Sequence, residues 1–101
     1  MRPMYYLKDG TPIHDTLEWA KLMEDIKYRR VAKTTLPNKL WVSTVWLGLD
    51  HSFLRTGPPL IFETMVFRNS ESIDETRYST WAQAKAGHID MVHKWEKKVK
   101  V

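Results

Sequence analysis

The sequence predicts an α+β fold: an antiparallel β-meander of four to five strands with two amphipathic helices, in the order β-α-β-β-β-β-α. Three observations lead there. Residues 40–49 and 60–67 are dense in aromatic and β-branched side chains, the composition of half-buried or buried strands. Trp19, Leu22, Met23 and Ile26 recur at i, i+3, i+4 and i+7, which is one stripe of a helix. Short segments rich in Pro, Asn, Ser and Gly separate the strands, so consecutive strands join by tight turns and run antiparallel.

The elements follow in order. Tyr5-Tyr6-Leu7 reads as a short strand, and Asp9-Gly10 as the turn that reverses the chain before the first helix. Asp15 and Glu18 have the spacing of a capping box, and the apolar stripe carries that helix through Ile26. Residues 28–35 alternate loosely and favour a strand, closed by the turn Pro37-Asn38-Lys39. The strong strand over 40–49 leads into a loop over 50–59 that ends in Gly57-Pro58-Pro59. A second strong strand covers 60–67, Asn69-Ser70-Glu71-Ser72 turns the chain, and a weaker strand covers 73–79. Thr80 and Gln83 cap the closing helix, whose apolar face takes in Trp81, Ala84, His88, Met91, Val92, Trp95 and Val99. Gly87 interrupts this helix at a cost of about 1 kcal/mol relative to alanine, which points to a close approach by the sheet.

Alternation divides the central strands into two faces. Trp41, Ser43 and Val45 oppose Val42, Thr44 and Trp46; Phe62, Thr64 and Val66 oppose Glu63, Met65 and Phe67. Neither strand has a properly polar side. Two helices can cover one face, so the other is half-exposed or meets another molecule. A homo-oligomer whose sheets pack or extend across a symmetry axis is therefore expected.

The chain has 101 residues, enough for a single domain over 1–101 with one modest core. Hydrophobic residues at 43% and charged residues at 28% exclude a disordered chain. No apolar run approaches the roughly 18 residues of a membrane span, and the first residues lack the apolar centre of a signal peptide, so a cytoplasmic location is expected. The absence of cysteine excludes disulfides and thiolate chemistry. The net charge of +4 resides largely in Lys94, Lys97, Lys98 and Lys100, a basic helix end that complements the helix dipole; nucleic-acid binding ranks behind that reading.

Catalytic chemistry finds no foothold in the residues. Asp50-His51-Ser52 holds the residue types of a hydrolytic triad, yet neighbours in sequence cannot converge as nucleophile, base and orienter. Asp and Ser there close a turn instead. His88 and His93 are five residues apart and point away from each other on a helix, and no metal-ligand spacing appears. No catalytic residue, metal or cofactor is expected. Glu63, set mid-strand between Phe62 and Met65, needs a partner such as Arg77, Arg29 or Arg30, or a ligand hydroxyl. Trp19, Trp81 and Trp95 belong to helix stripes, which leaves Trp41, Trp46 and Phe53 free to stack on a base.

The runs Trp41-Val42-Ser43-Thr44-Val45-Trp46-Leu47-Gly48-Leu49-Asp50-His51-Ser52-Phe53 and Gly57-Pro58-Pro59-Leu60-Ile61-Phe62-Glu63-Thr64-Met65-Val66-Phe67, with Arg77-Tyr78-Ser79-Thr80 leading to Ala84 and Gly87-His88, resemble a family of small bacteriophage and prophage proteins. The resemblance runs from Tyr5 to about Trp95, and departs at Leu54-Arg55-Thr56, where a glycine-rich loop is expected. It carries no activity and no site residues. It implies a setting: a non-enzymatic accessory protein in the host cytoplasm that acts by binding. One form of this is an anti-defence sponge that sequesters a nucleotide-like signal between subunits. The alternatives are an inhibitor that binds a host defence protein and a basic nucleic-acid-binding accessory. The residues expected to bind a ligand are Arg29, Arg30, Trp46, His51, Phe53, Glu63 and Arg77.

Overall fold

A computed structural model describes residues 3–52 and 56–99. The architecture is α+β: a four-stranded antiparallel meander, a small two-stranded sheet and three helices. The chain runs β1 (Tyr5–Tyr6), β2 (Pro12–Ile13), α1 (Thr16–Glu24), α2 (Ile26–Arg29), β3 (Arg30–Thr35), β4 (Leu40–Trp46), β5 (Phe62–Arg68), β6 (Glu71–Tyr78) and α3 (Trp81–Val99). No described helix is long and apolar enough to cross a membrane.

Two elements were not anticipated. The Asp9-Gly10 turn closes a hairpin, β1 with β2, rather than leading straight into a helix. The first helix also stops earlier than its stripe suggests. Asp25 leaves helical geometry at φ −87° and ψ 99°, and its carboxylate accepts the Tyr28 amide to start the separate turn α2. Ile26, the expected fourth member of the stripe, is consequently 64% exposed. Asp15 caps α1 through the Leu17 amide, whereas Thr80 and Gln83 form the reciprocal box at α3.

The strand order is β3-β4-β5-β6, every pair antiparallel. Turn chemistry fits: Asn38 and Lys39 take left-handed φ of 63° between β3 and β4, and Asn69 takes φ 59° between β5 and β6. Both edge strands carry a bulge, Val31 being the extra residue in β3 and Ile73 in β6. Beyond Trp46 the fourth strand continues irregularly. The Leu47 amide donates to the Ile61 carbonyl, Leu49 bridges to Tyr5, and the Tyr6 amide donates to the Gly48 carbonyl. Gly48 sits at φ +68° against the indoles of Trp46 and Trp19, space that any Cβ would take.

α3 gives the four-stranded sheet most of its cover, and Trp19, Leu22 and Met23 of α1 with Tyr28 of α2 pack on the Trp46–Phe62 end of its core. α3 lies across β3 to β6, while α1 packs on the small hairpin through Tyr5 and Trp19. The buried face is Leu40, Val42, Thr44 and Trp46 with Phe62, Thr64 and Val66, each without exposed surface. Gly87 brings the helix onto the Tyr78 ring, the close approach its position implied.

The core divides in two. Trp46, Phe62 and Ala84 belong to a cluster with Tyr6, Ile13 and Ile61; Val42, Val66 and Met91 belong to a second with Leu36 and Leu40. Between them lies a polar layer. His88 of α3 has its Nδ1 2.7 Å from Thr44 Oγ1 and its Nε2 2.9 Å from Thr34 Oγ1, and Thr44 Oγ1 is 2.5 Å from Thr64 Oγ1. His88 is thus a hydrogen-bonded core histidine, 4% exposed.

Candidate functional site

The face of the sheet away from α3 presents a grid set by strand register. One row reads Arg30, Val45, Glu63, Arg77; the next reads Lys33, Ser43, Met65, Glu75; the third reads Thr35, Trp41, Phe67, Ser72. The centre is apolar and half-buried. Trp41 stacks on Phe67 at 4.3 Å, and Lys33 Nζ lies 4.8 Å from the Trp41 ring centroid. The Trp41 indole N–H donates to the Asn69 carbonyl at 3.2 Å, which holds the ring in its stack with Phe67.

Three of the residues expected at a site therefore share a row. Arg77 Nε donates to Glu63 Oε2 at 3.0 Å across β5 and β6, so of the three arginines expected as partners of the mid-strand carboxylate it is Arg77 that pairs with it. Arg30 ends the same row at the opposite edge, two strands from Glu63.

Arg29 and Arg30 line a cleft of about 220 Å³ together with Lys33, Ile26, Trp41, Ser43 and Val45. Its chemistry follows from its position. α2 folds back at the start of β3 and brings two arginines beside a lysine, over a floor of indole and valine. Arg29 Nε is buried with no hydrogen-bond partner among the described residues. A buried guanidinium N–H without an acceptor is costly, and the other guanidinium nitrogens of Arg29 and Arg30 are groups suited to an anion.

Two other hollows lack this combination. One of about 350 Å³ lies at the start of α3, lined by Lys8, Asp9, Gly10 and residues 79–82. There the Ser79 and Thr80 amides already donate to Gln83 Oε1. Lys8 is stacked 4.4 Å from Tyr28 and 5.0 Å from Trp81, and partial burial lowers its pKa from the usual 10.5, against the pull of Asp25. The other hollow, about 250 Å³ between β6 and α3, has Lys94 as its cation, held 2.7 Å from Asp74 Oδ2.

The remaining expected residues are placed elsewhere. Trp46 has no exposed surface; it packs on the α3 side and its indole N–H donates to the Tyr6 carbonyl at 2.9 Å. His51 is exposed on the loop beyond β4, and Phe53 lies outside the described residues. The Asp50-His51-Ser52 segment is a loop clasp: Asp50 Oδ1 accepts the Ser52 amide at 2.9 Å, the Ser52 hydroxyl at 2.7 Å and the Leu60 amide at 3.1 Å. Among the described residues no three His, Asp or Glu side chains gather as a metal site would need.

Trp41 and Ser43 were not among the residues expected to bind a ligand. Alternation had already put Trp41, Ser43 and Val45 on one face, and only the β3–β4 register was needed to set Lys33 beside them. No protein-family model, curated protein or solved structure matches this chain.

Proposed function

We propose that this protein works by binding, and that the cleft between α2, β3 and β4 holds an anionic small molecule with a flat apolar part, the chemistry of a nucleotide. The buried, unpartnered Arg29 Nε carries the reading, set as it is beside Arg30 and Lys33 over an indole floor. Guanidinium groups grip phosphate oxygens in forked pairs, while Trp41, Val45 and Ile26 line the cleft with apolar surface for the flat part. The resemblance to phage proteins supports the setting, an accessory factor that sequesters a nucleotide-like immune signal in the host cytoplasm.

Thermal-shift screening followed by calorimetry tests it, using cyclic nucleotides and cyclic ADP-ribose derivatives alongside their uncharged nucleosides. Phosphate-bearing members raise Tm in a dose-dependent way, nucleosides do not, and Arg30→Glu abolishes the response. A flat response across the panel rejects the reading.

A further inference from the structure

β6 ends the sheet, and the ladder decides which of its backbone groups point outward. The Asn69 amide donates to the Lys39 carbonyl, so the bonded pairs between β4 and β5 are Trp41–Phe67, Ser43–Met65 and Val45–Glu63. Phe62, Thr64 and Val66 therefore turn their backbone groups to Tyr78, Thr76 and Asp74. Glu75 and Arg77 turn theirs away from the sheet, where no strand lies. The Glu75 amide meets Asp74 Oδ1 there, at 2.9 Å. The Glu75 carbonyl and the Arg77 N–H and C=O face outward with no strand beside them. The Ile73 bulge limits this even edge to the stretch from Asp74 to Tyr78.

The hollow of about 250 Å³ adjoins this edge on the helix side. Gly87, Asp90, Met91 and Lys94 recur at i, i+3, i+4 and i+7, so one face of α3 makes a wall, and Thr76 and Tyr78 make the other. Met91 is buried and Tyr78 half-buried, which gives an apolar floor. Lys94 is held by Asp74. Asp90 and Glu75 are exposed, and neither makes an ion pair with a described residue. This is a local excess of negative charge on a chain of net charge +4.

We infer that an extended segment of a partner protein adds to the β6 edge as a further antiparallel strand, with a lysine or arginine in the hollow. Strand addition takes its affinity from main-chain bonds and its selectivity from pockets for alternate side chains. One residue of the segment exchanges two bonds with Arg77, and the residue two further on donates to the Glu75 carbonyl. The residue between them lies opposite Thr76, on the helix side, so its side chain enters the hollow. A long basic side chain lays its stem on Met91 and Tyr78 and brings its charge to Asp90. A second copy fits less well. Its β6 sets acidic residues against acidic residues, which repel. Its β3 offers Ala32 or Thr34 to the hollow, and neither is a cation.

The edge and its hollow lie apart from the Arg30 cleft, and the inference does not rest on the nucleotide reading. Titration followed by amide NMR tests it on the full chain. The probes are the acetylated, amidated peptide Thr-Val-Thr-Lys-Thr-Val-Thr and its analogue with Glu at the centre. The Lys peptide shifts the Glu75, Arg77 and Asp90 amides and binds at least about tenfold more tightly than the Glu peptide. Asp90→Lys, at an exposed position, reverses that preference. N-methylation of the Thr amides flanking the Lys, which face β6, abolishes binding, whereas methylation of the Lys amide, which faces away, does not. Arg30→Glu leaves peptide binding unchanged, so the two readings fail separately. Absence of any response up to millimolar peptide overturns the proposal. So does equal affinity for the two peptides, or a preference that Asp90→Lys leaves in place. Undiminished binding of the peptide methylated at the flanking Thr amides also overturns it, since the contact is then charge alone. Self-association of the wild-type chain that Asp90→Lys abolishes overturns it as well, by making a second copy the occupant.

Discussion

His88 Nδ1 lies 2.7 Å from Thr44 Oγ1, and this contact joins α3 to the middle of the sheet at the level where the two apolar clusters part. Hydroxyls rotate to suit, so Thr44 and Thr34 satisfy either neutral tautomer of the ring. Desolvation by the surrounding core lowers the His88 pKa from its ordinary value of 6.5.

The folded protein therefore holds His88 neutral where the unfolded chain begins to take up a proton. Stability contributed by this group is complete above pH 6.5 and declines as pH falls through the window below it. Urea midpoints measured between neutral and mildly acid pH should fall on that side, and His88→Gln should flatten this part of the profile. Asp74 adds a separate loss further down. Its Oδ2 accepts Lys94 Nζ at 2.7 Å and the Trp95 indole N–H at 2.9 Å, and the Lys94 bond above all holds its pKa below 3.8. Its stability is present above pH 3.8 and is lost as pH falls through the lower folded value.

Gly48 should resist substitution far more than Gly10. Both have left-handed φ, at 68° and 90°, so alanine at either carries backbone strain of about 1–2 kcal/mol. At Gly10 nothing lies within 4 Å of the new methyl, whereas at Gly48 it meets the indoles of Trp46 and Trp19. Chemical denaturation of Gly48→Ala should show the strain plus a packing loss, with altered near-UV signals from the displaced tryptophans. Gly10→Ala should show the strain alone.

The Asp50 clasp separates shape from charge. Asp50→Asn keeps an oxygen for the Ser52 and Leu60 donors, whereas Asp50→Ala leaves them without it. The alanine variant should lose about 1–3 kcal/mol, as chemical denaturation will read. The asparagine variant should stay closer to wild type.

Glu63 and Arg77 are unequal partners. The Glu63 side chain is 11% exposed and that of Arg77 is 37% exposed. Removing the arginine strands a carboxylate in the sheet, while removing the carboxylate leaves a guanidinium that reaches water. Arg77→Ala should therefore destabilise more than Glu63→Gln, and the double variant should cost less than the sum, as a double-mutant cycle will read.

Much of this was legible in the chain. Alternation sorted Val42, Thr44 and Trp46 from Trp41, Ser43 and Val45, and those are the two faces observed. It could not say which face the helix covers, and so Trp46 was expected at a ligand when it fills the core. The break at Asp25 was hidden because an acidic residue there also suits the polar side of a continuous helix; here it caps a new turn. β2 is two residues long, too short to carry a period. Charge called for a cation beside Glu63 and left Arg77, Arg29 and Arg30 open; the β5–β6 register chose Arg77, and the meeting of Lys33 with Trp41 and Ser43 likewise depended on a register that the Val31 bulge shifts.

The bulges at Val31 and Ile73 have one more consequence. A strand-rich protein of this size is prone to lateral growth, in which the margin of one sheet templates another chain and the stack lengthens into a fibril. Here each margin holds one residue out of step with any straight neighbour, and Lys33 and Arg77 stand on the two margins as charges that a stacked copy would repeat at close range. A bulge and a charge at each margin are features that work against such edge-to-edge growth.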